Sequence, residues 1–179
     1  GTGGGGGGTG GGTGGGTGAG SEMAVNGGFE TGDTSGWVTF VGAAGASFTA
    51  STNNPKTGGF SGRLVADFGA GTGGAVDAVV KQANLLPAQP NTQYVISLDV
   101  RGAASTGGVF FVEFFSELSG GGTSKAEIIT GGPHPLSNTW TNYSYTVLTG
   151  NDVSGGITLQ LKSSCGPVGG CLVDVYFDN

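Results

Sequence analysis

From Ser21 onward the chain alternates short apolar runs with clusters of Gly, Ser, Asn and Pro. The runs are Ala46–Ser51, Gly62–Phe68, Tyr94–Arg101, Val109–Glu117, Thr141–Leu148, Ile157–Lys162 and Leu172–Asp178. Several keep a strict period of two. Tyr94, Ile96, Leu98 and Val100 form one parity of their run, and Ile157, Leu159 and Leu161 form another. That period, carried by β-branched and aromatic residues, predicts half-buried strands. No segment holds a 3.6-residue period over ten positions. Ala75–Ala83 comes nearest, but its valines and the stop at Pro87 and Pro90 favour a strand. Many short strands between Gly-rich turns predict an all-β fold, a β-sandwich or jelly roll of two antiparallel sheets.

Within Val109–Glu117 the two parities differ in chemistry. Phe110, Val112 and Phe114 make an apolar stripe for a core. Phe111, Glu113, Phe115 and Glu117 mix aromatic rings with carboxylates. Exposed rings are costly unless they serve a partner. Sugar rings offer flat C–H faces to aromatics, and their hydroxyls seek carboxylates, amides and guanidinium groups. The second parity is therefore a candidate saccharide face, with Gln82, Asp99, Arg101, Asn142 and Gln160 as polar candidates on neighbouring strands. The alternative is that both parities are covered.

Composition narrows the partners. The chain has 179 residues, of which 42 are Gly, and only 10% are charged. Its formal net charge of −6 lacks the basic footprint of a nucleic-acid binder. No apolar run is long enough for a membrane-spanning helix. The tract Gly1–Gly20 has fifteen glycines and no charge. It predicts a flexible linker with an r.m.s. span of about 25 Å, followed by one module over 21–179. A linker implies a second module on its N-terminal side.

Cys165 and Cys171 flank a Gly- and Pro-containing turn. Their spacing is not that of a zinc site. A disulfide closing a hairpin tip is expected, in an oxidising, extracellular compartment; two free thiols are the alternative. His134, the one histidine, lies in a Pro-flanked loop and reads as a solvated or turn residue. No G-x-S-x-G elbow accompanies it. Glu113 and Glu117 would stand about 13–14 Å apart on one strand, beyond the roughly 5–9.5 Å of a glycosidase pair. No catalytic constellation emerges.

Five segments in order carry a family resemblance. Val25-Asn-Gly-Gly-Phe-Glu-Thr-Gly-Asp-Thr-Ser-Gly-Trp37 resembles the opening of secreted carbohydrate-binding modules of families 4, 9, 16 and 22. Gly58-Gly-Phe-Ser-Gly-Arg-Leu-Val65 and Leu86-Pro-Ala-Gln-Pro-Asn-Thr-Gln-Tyr-Val-Ile-Ser-Leu-Asp-Val-Arg101 are similar to their next strands. Asn138-Thr-Trp-Thr-Asn-Tyr143 and Val173-Asp-Val-Tyr-Phe-Asp-Asn179 match later ones. The resemblance implies a β-jelly roll, non-catalytic glycan binding and a structural calcium ion. It implies Glu30 and Asp178 as calcium ligands, with Gly28 and Lys56 as carbonyl donors; the alternative is two acids capping turns. It places Trp37 and Trp140 in the core, leaving Phe111 and Phe115, or the loop residues Phe40 and Phe60, to meet the ligand. The expected protein is a monomeric module that brings a tethered polysaccharide-degrading enzyme to a neutral chain such as a β-glucan, xylan or agar. A structural or adhesive sandwich without a glycan cleft is the second reading, and a small lyase or hydrolase the third.

Overall fold

A computed structural model describes residues 21–69 and 74–178. The linker expected over Gly1–Gly20 lies outside the described residues. Among the described residues, ten strands form two antiparallel sheets of five. One, here sheet A, has the order β1 (Val38–Phe40), β4 (Val76–Leu85), β9 (Gly156–Cys165), β6 (Gly108–Glu117) and β7 (Thr123–Ile128). Sheet B has the order β2 (Ala46–Ser51), β3 (Ser61–Asp67), β10 (Leu172–Asp178), β5 (Gln93–Ala104) and β8 (Thr141–Leu148). Every predicted run is a strand. β1 and β7 lie outside the predicted runs.

The core lies between the sheets and is built from alternate residues. Val76, Ala78 and Val80 of β4, Phe110 and Val112 of β6 and Leu161 of β9 meet Leu64, Val100, Val173, Val175 and Phe177 of sheet B. At one end Phe29 stacks on Trp37 at 5.5 Å and meets Phe177 edge-on at 5.4 Å. Such pairs add about 0.5–1.5 kcal/mol each beyond area burial. Gly62 is what admits Phe29: a Cβ there would lie 2.5 Å from the ring. Trp37 thus packs where the family resemblance places it.

Cys165 and Cys171 form a disulfide, and both are fully buried. The expectation of a hairpin needs correction. β9 and β10 belong to opposite sheets, so the bridge closes a connection between sheets.

His134 also departs from expectation. The segment 129–137 leaves β7, follows β6 and crosses to sheet B. The Ile129 and His134 amides donate to Val112 and Phe110, and the Gly102 amide donates to Ser137. This closes one side of the sandwich and buries His134 to 3% exposure. Its ring edge packs on Tyr143, 4.4 Å between centroids. With Nδ1–H donating to the Pro135 carbonyl at 2.8 Å, Nε2 is left to accept from the Tyr145 hydroxyl at 2.8 Å. Flanking prolines suggest an exposed turn, but the two tyrosines supply an interior with one polar partner.

Burial holds the His134 pKa below 6.5. The unfolded chain therefore binds this proton more readily, and the contribution to stability is whole above about pH 6.5 and lost as pH falls through the depressed value. Chemical denaturation between pH 7 and 5 is expected to show a smaller loss of stability for His134→Gln than for the parent protein.

Candidate functional site

The outward parity of sheet A gathers the rings. Register sets Phe40 of β1, Val79 of β4, Lys162 of β9 and Phe111 of β6 in one cross-strand row. The next row holds Val38, Lys81, Gln160, Glu113 and Ile128. The one after holds Thr158 and Phe115, with Ala126 at the edge. Phe111 and Phe115 are half-buried, while Phe40 is 55% exposed. Four residues of strand separate Phe111 from Phe115, about 13–14 Å. Phe40 and Phe111 are three strand spacings apart, about 14 Å. These spans exceed one sugar ring, so the face suits a chain.

Polar groups sit between the rings. The Gln160 amide donates to the Glu113 carboxylate. Burial alone would raise the Asp77 pKa, but the hydrogen bond from the Ser164 hydroxyl and the Lys162 ammonium at 3.0 Å together bring it below the usual carboxylate value. The Lys81 ammonium lies 5.3 Å from the Phe40 ring centroid and 5.7 Å from that of Phe115.

Four of the eight candidate ligand residues thus share this face: Phe111, Glu113, Phe115 and Gln160. The other four do not. Gln82 is 1% exposed and points between the sheets. It shares the parity of Val80, not of Lys81. Its amide accepts from the Val25 amide at 3.1 Å and donates to the Val25 carbonyl at 2.7 Å, so it docks the N-terminal segment. Asp99, Arg101 and Asn142 lie on the outer face of sheet B, where Asp99 sits between Asp178 and Asn142 in register. Period two assigns a side chain to a face, but not a strand to a sheet. Phe40 is missed as a strand residue because three residues show no period.

The outer face of sheet B is occupied by the protein itself. Residues 52–60 lie across it. Arg101 stacks 3.7 Å from the Tyr176 ring centroid and 5.2 Å from that of Trp140, and donates to the Asn53 carbonyl. Asn53 donates to the Tyr176 hydroxyl at 3.0 Å, and the Trp140 indole donates to the Asn54 carbonyl at 2.9 Å. Trp140 therefore anchors this loop and is not part of the core. Lys56 approaches Asp99 at 3.9 Å.

The same loop carries the expected metal residues. Asp178 accepts from the Lys56 and Thr57 amides at 3.0 and 2.9 Å. Glu30 accepts from the Gly59 and Phe60 amides at 3.0 and 3.2 Å. Gly58 has φ +55°, and a Cβ there would lie 2.2 Å from the Glu30 carboxyl carbon. Burial raises the Asp178 pKa, with the Glu30 charge adding to it against the amide hydrogen bonds. Two hard-oxygen donors around one loop, one of them ill-solvated, fit a calcium ion. No cluster of three or more Asp, Glu, His or Cys side chains occurs among the described residues, so further donors would be carbonyls such as those of Gly28 and Lys56. The ion would supply charge neutralisation there.

A cleft of about 400 Å³ lies elsewhere, where the 133–138 loop meets β5 and β6. It holds none of the outward rings of sheet A.

Comparison with known proteins agrees with the fold. The family model described as "Carbohydrate binding domain" (CBM_4_9) matches residues 21–164. The chain belongs to this carbohydrate-binding family. No curated protein matches it in sequence. Among solved structures, the module is similar to one titled "Family 16 Carbohydrate Binding Module-2", with 17% identity and TM-score 0.57, covering 88% of this chain and 96% of that one. The CBM22-1 xylan-binding domain of Paenibacillus barcinonensis Xyn10C shows 12% identity and TM-score 0.52, over 84% and 90%. The active domain of bacteriophage CBA120 tailspike protein 4 shows 12% identity and TM-score 0.60, over 87% of this chain and 21% of that one. At these identities the likeness is one of fold.

Arg101 is expected to hold the 52–60 loop. Arg101→Ala should lower stability by about 1–3 kcal/mol, the sum of a partly desolvated cation–π contact and a charged hydrogen bond. Limited trypsin digestion should then cut after Lys56 in the variant, while the parent resists.

Proposed function

We propose that the module binds a polysaccharide chain on the outer face of sheet A. The observation that carries this is the placement of Phe40, Phe111 and Phe115 around Gln160 and Glu113 on one outward surface. The rings would stack on sugar C–H faces, and the amide and carboxylate would read hydroxyl groups. The net charge of −6 favours a largely neutral chain such as a β-glucan, xylan or agar.

The role we infer is non-catalytic. A monomeric module joined to a polysaccharide-degrading enzyme in the same secreted chain raises the local concentration of substrate for that enzyme. The buried disulfide supports an extracellular setting. His134 offers no free ring nitrogen for acid–base work, since both are engaged.

Affinity electrophoresis in gels holding laminarin, xylan, agarose or alginate tests the binding. Retardation is expected in at least one neutral gel. Phe111→Ala and Phe115→Ala should each weaken it by about tenfold, as loss of one stacking platform costs on the order of 1.4 kcal/mol. Retardation by none would leave the adhesive reading.

We further propose that calcium joins Glu30 and Asp178 across the 56–60 loop. At about a hundredfold excess over its Kd, the ion should add about 2.7 kcal/mol, or roughly 5–10 °C in Tm. A chelator should remove this. Because the Asp178 pKa is raised, its ionisation opposes folding of the metal-free protein as pH rises through that value. Asp178→Asn should therefore abolish the calcium increment while leaving metal-free Tm at pH 7 equal or higher. An increment that survives in Asp178→Asn would place the ion elsewhere.

A further inference from the structure

Lys81 differs from the other basic side chains of the described residues. Lys56, Arg63, Lys125 and Lys162 each pair with a carboxylate, and Arg101 donates to a carbonyl. Lys81 makes neither an ion pair nor a hydrogen bond with the described residues. Its ammonium is held between two rings, 5.3 Å from Phe40 and 5.7 Å from Phe115. Aromatic faces attract a cation but leave its three N–H donors unused.

The neighbouring acids form no ion pair with Lys81. Gln160 donates to Glu113, while Lys162 and Ser164 hold Asp77. Lys81 therefore carries a positive charge that no ion pair neutralises, while Glu113, bound only to the neutral Gln160 amide, keeps its own charge in the same cross-strand row. The ammonium lies between the platforms on which a chain would stack.

We infer that Lys81 is a specificity-determining residue that reads a carboxylate substituent, as of a uronic acid, on an otherwise neutral chain. This rests on the polysaccharide reading of the same face. A chain laid across Phe40 and Phe115 would present an exocyclic or branching group to the ammonium between them. A hydroxyl there accepts an ordinary hydrogen bond. A carboxylate accepts a charge-assisted one, roughly twice as strong, where two rings keep part of the water away. A densely acidic polymer is different. It meets the net charge of −6, with Glu113 and Glu117 on the same face, over the Debye length of about 8–10 Å. The surface is matched to sparse acid groups.

Calorimetry with matched hexasaccharides tests this: a neutral xylan backbone, and the same backbone with one uronic acid branch. The parent protein is expected to bind the acidic form about tenfold more tightly at low salt, a difference of about 1.4 kcal/mol. The preference should shrink at about 0.5 M salt, where screening is strong. Lys81→Met should bring the ratio of the two affinities near one, and Lys81→Arg should keep it above one. Equal affinities in the parent protein, or a preference unchanged in Lys81→Met, overturn the assignment while leaving the polysaccharide reading in place. Binding of neither hexasaccharide, with no retardation by any gel polysaccharide, overturns the polysaccharide reading as well.

Discussion

A residue on a β-strand has two directions open to it, and its neighbour must take the other. In a sandwich one direction leads to the shared core. The other leads to an outer face whose fate the rest of the chain decides. Here the two outer faces differ. On sheet B, Arg101 stacks on Tyr176 and Trp140 beneath residues 52–60; Arg101 and Trp140 donate to carbonyls of that loop, and the Tyr176 hydroxyl accepts from the Asn53 side chain. On sheet A, Phe40, Phe111 and Phe115 point outward with Gln160 and Glu113 among them. One surface is used for assembly, and the other is available for recognition.

The covered face is linked to the two ends of the described chain. Glu30 follows the N-terminal segment and Asp178 ends β10, and both hold amides of one loop. Gln82 docks Val25 from within the sandwich. The N-terminal segment is thus fixed from the core by an amide and from outside by a carboxylate. A calcium ion there would relieve the burial of Asp178, and it would act at a distance from the open face. In that arrangement an ion would govern stability and would leave ligand choice to sheet A.

Much of this was legible in the residues. Period two located eight of the ten strands, and it separated Phe110, Val112 and Phe114 from Phe111, Glu113 and Phe115. β1 is too short for a period, and in β7 the apolar positions are few. Gln82 was misplaced because its polarity outweighed its parity with Val80. Asp99, Arg101 and Asn142 have outward parity, but the order of strands within sheets depends on long-range pairing that no local pattern encodes. His134 escaped for a similar reason: its burial is supplied by Tyr143 and Tyr145 of a distant strand.

The central claim is that recognition occurs on the outer face of sheet A. Amide chemical-shift mapping during titration with a retained oligosaccharide tests it most directly. The account predicts shifts concentrated on β4, β9 and β6, around Lys81, Gln160 and Phe111 to Phe115, with sheet B unmoved. Shifts confined to β3, β10 and β5, or to the cleft between Gly102 and Asn138, would contradict it.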